Sequence, residues 1–297
     1  WEDEPTAQVI LAAQELGSRL LLGPGSHCIP PPGIDFAGEV RAYFDDHLKP
    51  EAAARTADPA PRVTWWLQGA PRGQEWQRGA QWPGAAMKSE RWLLSASPVA
   101  GEGRLLQKKA AKGAAPFRVN YDVGAGEYFA FWVESQHGKG VSFTGPAFER
   151  ERLITGFPVV QLALQSDRPE PLLFAYLEGV APDGSAKVMA YGRLAAAYRK
   201  EGKAPYGTLG LPWLGGLSAD FAPLRSGETA QLHFALTPVA QVIPAGTRLR
   251  LVVTGADPRQ RNLQQIRLDP PPLITVRTGT GSGSFIDLPL ADRLTRP

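Results

Sequence analysis

Leu20-Leu21-Leu22-Gly23-Pro24-Gly25-Ser26-His27 decides how the opening of the chain is read. An unbroken run of three leucines, with no polar alternation, describes a short strand buried on both faces, as in the interior of a parallel sheet. The Gly-Pro-Gly that follows ends the strand and turns the chain. His27 then stands beyond the carboxyl end of a buried strand, the rim where α/β folds gather ligands and chemistry. Two readings of His27 are open at this point: a general base, or a loop histidine that only caps or packs.

Upstream of the leucines, Val9, Ile10, Ala13 and Leu16 recur at helical spacing across Ala7–Leu16. Pro5 with the acids around it suits a helix start, and Gly17 suits its end. Downstream, a proline-rich loop from Ile29 to Gly33 leads into Phe36, Val40, Tyr43, Phe44 and Leu48, one face of a second helix. Helix, strand, loop and helix in that order form the closing piece of an α/β fold. The piece is too small to bury a sheet alone, so it calls for partners that this chain does not contain. Its first 57 residues are not expected to fold in isolation.

Lys49 to Pro61 is rich in Ala, Pro and charge and reads as a linker. Beyond it the period changes to that of strands: Arg62–Gln68, Arg91–Ser95, Tyr128–Glu134, Leu153–Gln165, Pro171–Glu178, Lys187–Arg199, Thr229–Leu236 and Thr247–Thr254. Leu232, Phe234 and Leu236 would face a core with Gln231 and His233 outward; Leu249 and Leu251 oppose Arg248 and Arg250. Pro182-Asp183-Gly184, Pro244-Ala245-Gly246 and the Gly/Ser run from Thr278 to Ser284 supply turns. The expected fold is mainly β. Residues 58–297 form a C-terminal jelly-roll β-sandwich, and residues 1–57 are the closing segment of an α/β domain.

Composition narrows the function classes. The 297 residues carry a formal charge of only +3, with basic and acidic residues intermixed, so there is no nucleic-acid footprint. No apolar run approaches the roughly 18 residues of a membrane span. Cys28 is the single cysteine, which excludes an internal disulfide and argues against a thiolate zinc site. His47, His137 and His233 show no metal-ligand spacing. Trp65, Trp66, Trp76, Trp82 and Trp92 could line a pocket, although packing at a core or domain interface is the commoner use of large aromatics.

Asp3 lies ahead of the helix and strand that lead to His27. In α/β hydrolases the triad runs Ser, then Asp or Glu, then His. The acid holds the imidazole in one tautomer and stabilises the imidazolium formed when Ser gives up its proton. Alone, Asp3 reads equally as a helix cap or a surface acid.

The chain resembles the serine acyl hydrolases of the cocaine esterase and X-Pro dipeptidyl-peptidase (CocE/NonD) family, in that family's order and over almost its whole length. Trp1-Glu2-Asp3 is similar to a G-W-Y-D segment whose Asp belongs to the triad. Leu22-Gly23-Pro24-Gly25-Ser26-His27 is similar to a G-P-W-S-H segment whose His belongs to it. Tyr43-Phe44-Asp45-Asp46-His47-Leu48-Lys49 resembles the helix that follows. Leu67-Gln68-Gly69-Ala70, Gln81-Trp82-Pro83, Ile154-Thr155-Gly156, Ala197-Tyr198-Arg199, the run from Ile243 to Arg250 and Ser284-Phe285-Ile286-Asp287-Leu288-Pro289 resemble its β-domain. Glu2 replaces an aromatic and Gly25 replaces a Trp beside the presumed site, so substrate preference is free to differ.

The resemblance implies that residues 1–57 close an α/β-hydrolase domain and that the reaction is hydrolysis of an ester or amide through an acyl-enzyme, with Asp3 and His27 as catalytic residues. No serine has glycine two positions before and two after it, so a G-x-S-x-G elbow is absent from this sequence. The nucleophile is expected from an upstream hydrolase segment, and the chain alone is expected to be inert. The partners implied are a small ester, amide or peptide substrate and that hydrolase segment; no cofactor or metal is needed, and a homo-oligomer is compatible with the sequence. The rival reading is a β-sandwich binding or assembly module without catalysis.

Overall fold

A computed structural model of the chain describes residues 6–24, 29–49, 62–84, 87–124, 134–260, 263–281 and 283–292. The helical spacing around Ile10 becomes α1 (Thr6–Leu16), the leucine run becomes β1 (Leu20–Leu22), and the second apolar stripe becomes α2 (Phe36–Leu48). β1 pairs in parallel with β2 (Val63–Trp66), Leu20 opposite Val63 and Leu22 opposite Trp65. β3 (Trp76–Gly79) runs antiparallel on the far side of β2. The expected division between residues 57 and 58 lies in 50–61, outside the described residues. The two strands that follow it, β2 and β3, join the sheet that β1 begins.

The remaining strands are β4 (Lys88–Ala96), β5 (Glu102–Leu106), β6 (Gly113–Arg118), β7 (Val141–Ala147), β8 (Arg152–Gly156), β9 (Val159–Ser166), β10 (Leu172–Val180), β11 (Ala186–Ala195), β12 (Ala230–Ala235), β13 (Val239–Ile243), β14 (Arg248–Thr254), β15 (Leu273–Thr278) and β16 (Phe285–Asp292). They form one thirteen-stranded sheet in the order β11-β10-β14-β7-β5-β4-β16-β9-β15-β6, with β12 on β9, β8 on β16 and β13 on β8. A one-turn helix, α3 (Leu263–Ile266), interrupts the connection to β15. The fold is mainly β. Alternate residues along each strand (Leu162 and Leu164, Leu173 and Leu177, Leu249 and Leu251, Ile286 and Leu288) enter a single core, so the sheet closes on itself as a sandwich.

Two details differ from the sequence expectation. Leu153–Gln165, read as one strand, is two, because Gly156 adopts φ 137° and Pro158 lacks a donor. Arg250 opposes Leu249 and Leu251 as expected, yet it is buried. Its cross-strand neighbour Glu178, which is fully buried, meets it with Nη2–Oε2 at 2.6 Å. Ser135 Oγ and the Gln136 amide also donate to the Glu178 carboxylate, closing a lid of backbone over the pair. The strand expected at Tyr128–Glu134 lies outside the described residues except for Glu134.

A second, smaller core joins the two sheets. Ile10 from α1, Leu20 and Leu22 from β1, Val63, Leu67 and Trp82 pack against Leu153, Phe157, Ala240 and Val242 of the sandwich. Gln68 extends β2 into an isolated bridge with Gln241: the Gln68 amide donates to the Ala240 carbonyl at 3.0 Å, and the Val242 amide donates to the Gln68 carbonyl at 2.8 Å. No helix among the described residues is long and apolar enough to cross a membrane.

Candidate active site

The scaffold of the presumed site is the α1–β1 corner. Leu20 and Leu22 are buried on one face of β1, Leu21 on the other face is half-buried where burial on both faces was expected, and Gly23 follows the strand. Gly23 is a position where only glycine fits without displacement: a Cβ there would stand 2.9 Å from the Pro31 side chain and 3.3 Å from the Trp76 ring. The Trp76 indole N–H donates to the Pro32 carbonyl at 2.9 Å. One tryptophan on β3 therefore anchors both ends of the loop that carries His27, packing on its entry and hydrogen-bonding to its exit. The loop residues 25–28, His27 and Cys28 included, lie outside the described residues. So do residues 1–5 with Asp3. What the structure places is their framework: α1 starts three residues after Asp3, and β1 ends five residues before His27.

After the loop, Asp35 caps α2 by accepting from the Gly38 amide at 2.9 Å. His47 Nδ1 approaches the Tyr43 carbonyl at 2.7 Å and its ring stacks on Tyr43, so it is occupied within its own helix. The apolar stripe of α2 is uncovered: Phe36, Val40, Tyr43, Phe44 and Leu48 are all exposed. β1 has one partner among the described residues, β2, so its other edge is open.

The remaining candidates are dispersed. His137 Nδ1 meets Ser142 Oγ at 2.9 Å and its Nε2 lies 3.6 Å from Glu102. Ser142 is fully buried, so it offers no nucleophile to a substrate. His233 pairs with Glu201 at 3.0 Å on the outward face of β12. Trp82 and Trp92 are core residues, whereas Trp65, Trp66 and Trp76 are half-buried on the small sheet. Among the described residues no three His, Cys, Asp or Glu side chains cluster as metal ligands would.

Sequence reading missed a buried polar group on the outer face of β10. The Tyr176 hydroxyl donates to Asp257 at 2.6 Å, and Arg259 forks onto the same carboxylate at 2.8 Å while lying over the Tyr191 ring at 3.9 Å. Burial raises the Tyr176 pKa, and the Asp257 charge adds to it. Burial opposes ionisation of Asp257, but hydrogen bonds from Arg259 and Tyr176 outweigh it and hold the carboxyl below the usual range. The Asp-Pro-Arg turn at 257–259 was the only sequence signal for it.

Comparison with known proteins places the chain. It is 27% identical over 263 residues to the Mycobacterium bovis protein named "Putative serine esterase Mb1866c" and to its Mycobacterium tuberculosis counterpart MT1883. The match covers 81% of this chain but only 41% of theirs, so the chain spans less than half the length of the curated relatives it matches. The fold matches a CocE/NonD family hydrolase of Staphylococcus aureus with a TM-score of 0.62 and 15% identity, over 86% of this chain and 46% of that one. It also matches an aminopeptidase of a Thaumarchaeota archaeon (0.63, 14%, 93% and 49%) and an α-amino acid ester hydrolase (0.58, 17%, 84% and 44%). Residues 55–265 fit the family model described as the X-Pro dipeptidyl-peptidase C-terminal non-catalytic domain. With most of its residues in that match and a sandwich that superposes on hydrolases of the CocE/NonD group, this chain belongs to the X-Pro dipeptidyl-peptidase C-terminal domain family.

Proposed function

We propose that this chain supplies the acid, the histidine and the β-sandwich of a serine acyl hydrolase whose nucleophile lies in an upstream segment. The observation that carries the reading is the unfinished small sheet. β1, the strand that leads to His27, is parallel to β2 and has no second partner strand among the described residues, and the apolar stripe of α2 beside it is exposed. Parallel strands are normally covered on both faces and flanked by further strands, which is what a hydrolase segment would provide. The mycobacterial relatives, named as serine esterases and more than twice as long as the match, support the same reading.

In this mechanism the serine Oγ attacks the substrate carbonyl carbon as His27 takes the Oγ proton. The tetrahedral intermediate collapses by breaking the bond to the leaving alcohol or amine, which receives that proton from His27. Water then attacks the acyl-enzyme, His27 again taking and returning one proton, and the acid product and free serine result. Asp3 orients His27 and stabilises its charged form.

The test uses the chain joined to its upstream segment and a p-nitrophenyl ester. His27→Ala is expected to lower kcat by at least about a thousand-fold, and Asp3→Asn by a comparable factor, with thermal unfolding unchanged. Turnover retained in His27→Ala removes His27 from the mechanism. The 297-residue chain alone should release no burst of p-nitrophenol.

A further inference from the structure

We infer that the cleft between α1 and the sandwich binds a small carboxylate carrying an aromatic or apolar body. The cleft holds about 850 Å³ and is walled by Tyr191, Tyr206, Leu211, Trp213 and Phe234, with the first turns of α1 as its far side. Among the described residues, Arg193 on β11 is the one charged residue lining it and none of the lining is acidic. Arg193 makes no hydrogen bond or ion pair among the described residues, and it is exposed. Two other clefts of similar size are neutralised internally: Arg91 forks onto Asp287 in one, and Lys187 shares the other with Glu134. A guanidinium left unpaired over aromatic walls presents a fork matched to a carboxylate and an apolar floor for the rest of the ligand.

The rim of the cleft is built, not slack. It comes from residues 196–229, the connection between β11 and β12, which carries two 3-10 turns (Ala196–Tyr198 and Ser218–Asp220) and a bridge of Glu201 to Leu214. That connection is pinned by Arg199–Glu228 at 2.8 Å, by the Gly202 amide on the Trp213 carbonyl at 3.0 Å, and by the Gly207 amide on Glu15 of α1 at 3.1 Å. The Trp213 ring is set between Gly202 and Gly215, where added Cβ atoms would stand 2.8 and 3.2 Å from it.

The inference uses no member of the triad, and its test reads binding instead of turnover. The full chain is titrated with 3-phenylpropionate and, separately, with the neutral 3-phenylpropanamide, by calorimetry or ligand-observed NMR. Saturable binding of the carboxylate is expected, roughly ten-fold tighter than that of the amide. Arg193→Gln should bring the carboxylate down to the level of the amide and leave the amide unchanged. Tyr206→Ala, at a position already exposed, should weaken both. Failure of the carboxylate to bind saturably, or equal affinity in the chain and in Arg193→Gln, overturns the assignment.

Discussion

On the strands of the large sheet, Leu162, Leu232, Leu251 and Ile286 have no contact with solvent. On α2, beside the small sheet, Phe44 is 53% and Leu48 73% exposed. Both sets follow the spacing of a buried face, and full burial of such a side chain contributes about 1.5–3 kcal/mol. The large sheet finds its covering layer by folding over itself. Among the described residues the small sheet is covered where α1 and the sandwich meet it, at Ile10 and the seam around Leu67, while the apolar stripe of α2 beside it stays exposed. Periodicity thus tells which residues are to be covered, but not whether the covering lies in the same chain.

The contrast can be broken at several points. Glu178→Ala in the large sheet strands the Arg250 charge in the interior and should cost about 3–5 kcal/mol in urea unfolding; a loss under about 1 kcal/mol would mean the pair is not buried in solution. Ile10→Ala at the seam should cost about 2–4 kcal/mol, and hydrogen exchange should quicken in α1 and β1 while β10 and β14 keep their protection. Uniform quickening would show that the two sheets unfold as one unit.

Acid should act on the large sheet. The folded pKa of Asp257 is depressed, so its contribution is complete above the unfolded carboxyl value near pH 4 and is lost as pH falls through the lower folded value. Asp257→Asn should flatten that part of the stability profile below about pH 4; an unchanged profile would remove Asp257 from the acid response. The smallest effect is expected on α2: Leu48→Ser should shift the stability of this chain by less than about 0.5 kcal/mol. Joined to the upstream segment, the same change should cost more than about 1.5 kcal/mol. Equal small effects in both contexts would leave the stripe without a covering layer.

Much of this contrast was legible in the sequence. Three leucines without alternation gave β1, and i, i+4 spacing gave α1 and α2. Strict alternation gave β12 and β14. Partners were not legible. Val63–Trp66 reads as a strand, but nothing local says that it pairs with Leu20–Leu22 instead of with the sandwich. Alternation placed Arg250 opposite the core without revealing that Ser135 and Gln136 would seal it in, since those residues arrive from more than a hundred positions away. Asp3 and His27 stand out in the sequence by their order and, for His27, by nearby glycines, which are local properties; both lie outside the described residues. The cleft at Arg193 was not legible, because its walls come from five separated segments.

The bridge at Gln68 has a consequence for inheritance and for engineering. The strand paired with β1 ends hydrogen-bonded to the sandwich through both the amide and the carbonyl of Gln68, so the two parts cannot be exchanged between relatives as free modules. A chimaera spliced in the stretch between α2 and β2 would marry Ile10 and Leu22 of one parent to Val63, Leu67, Ala240 and Val242 of another. Such a hybrid should assemble only when those six positions come from a common source or are refitted together.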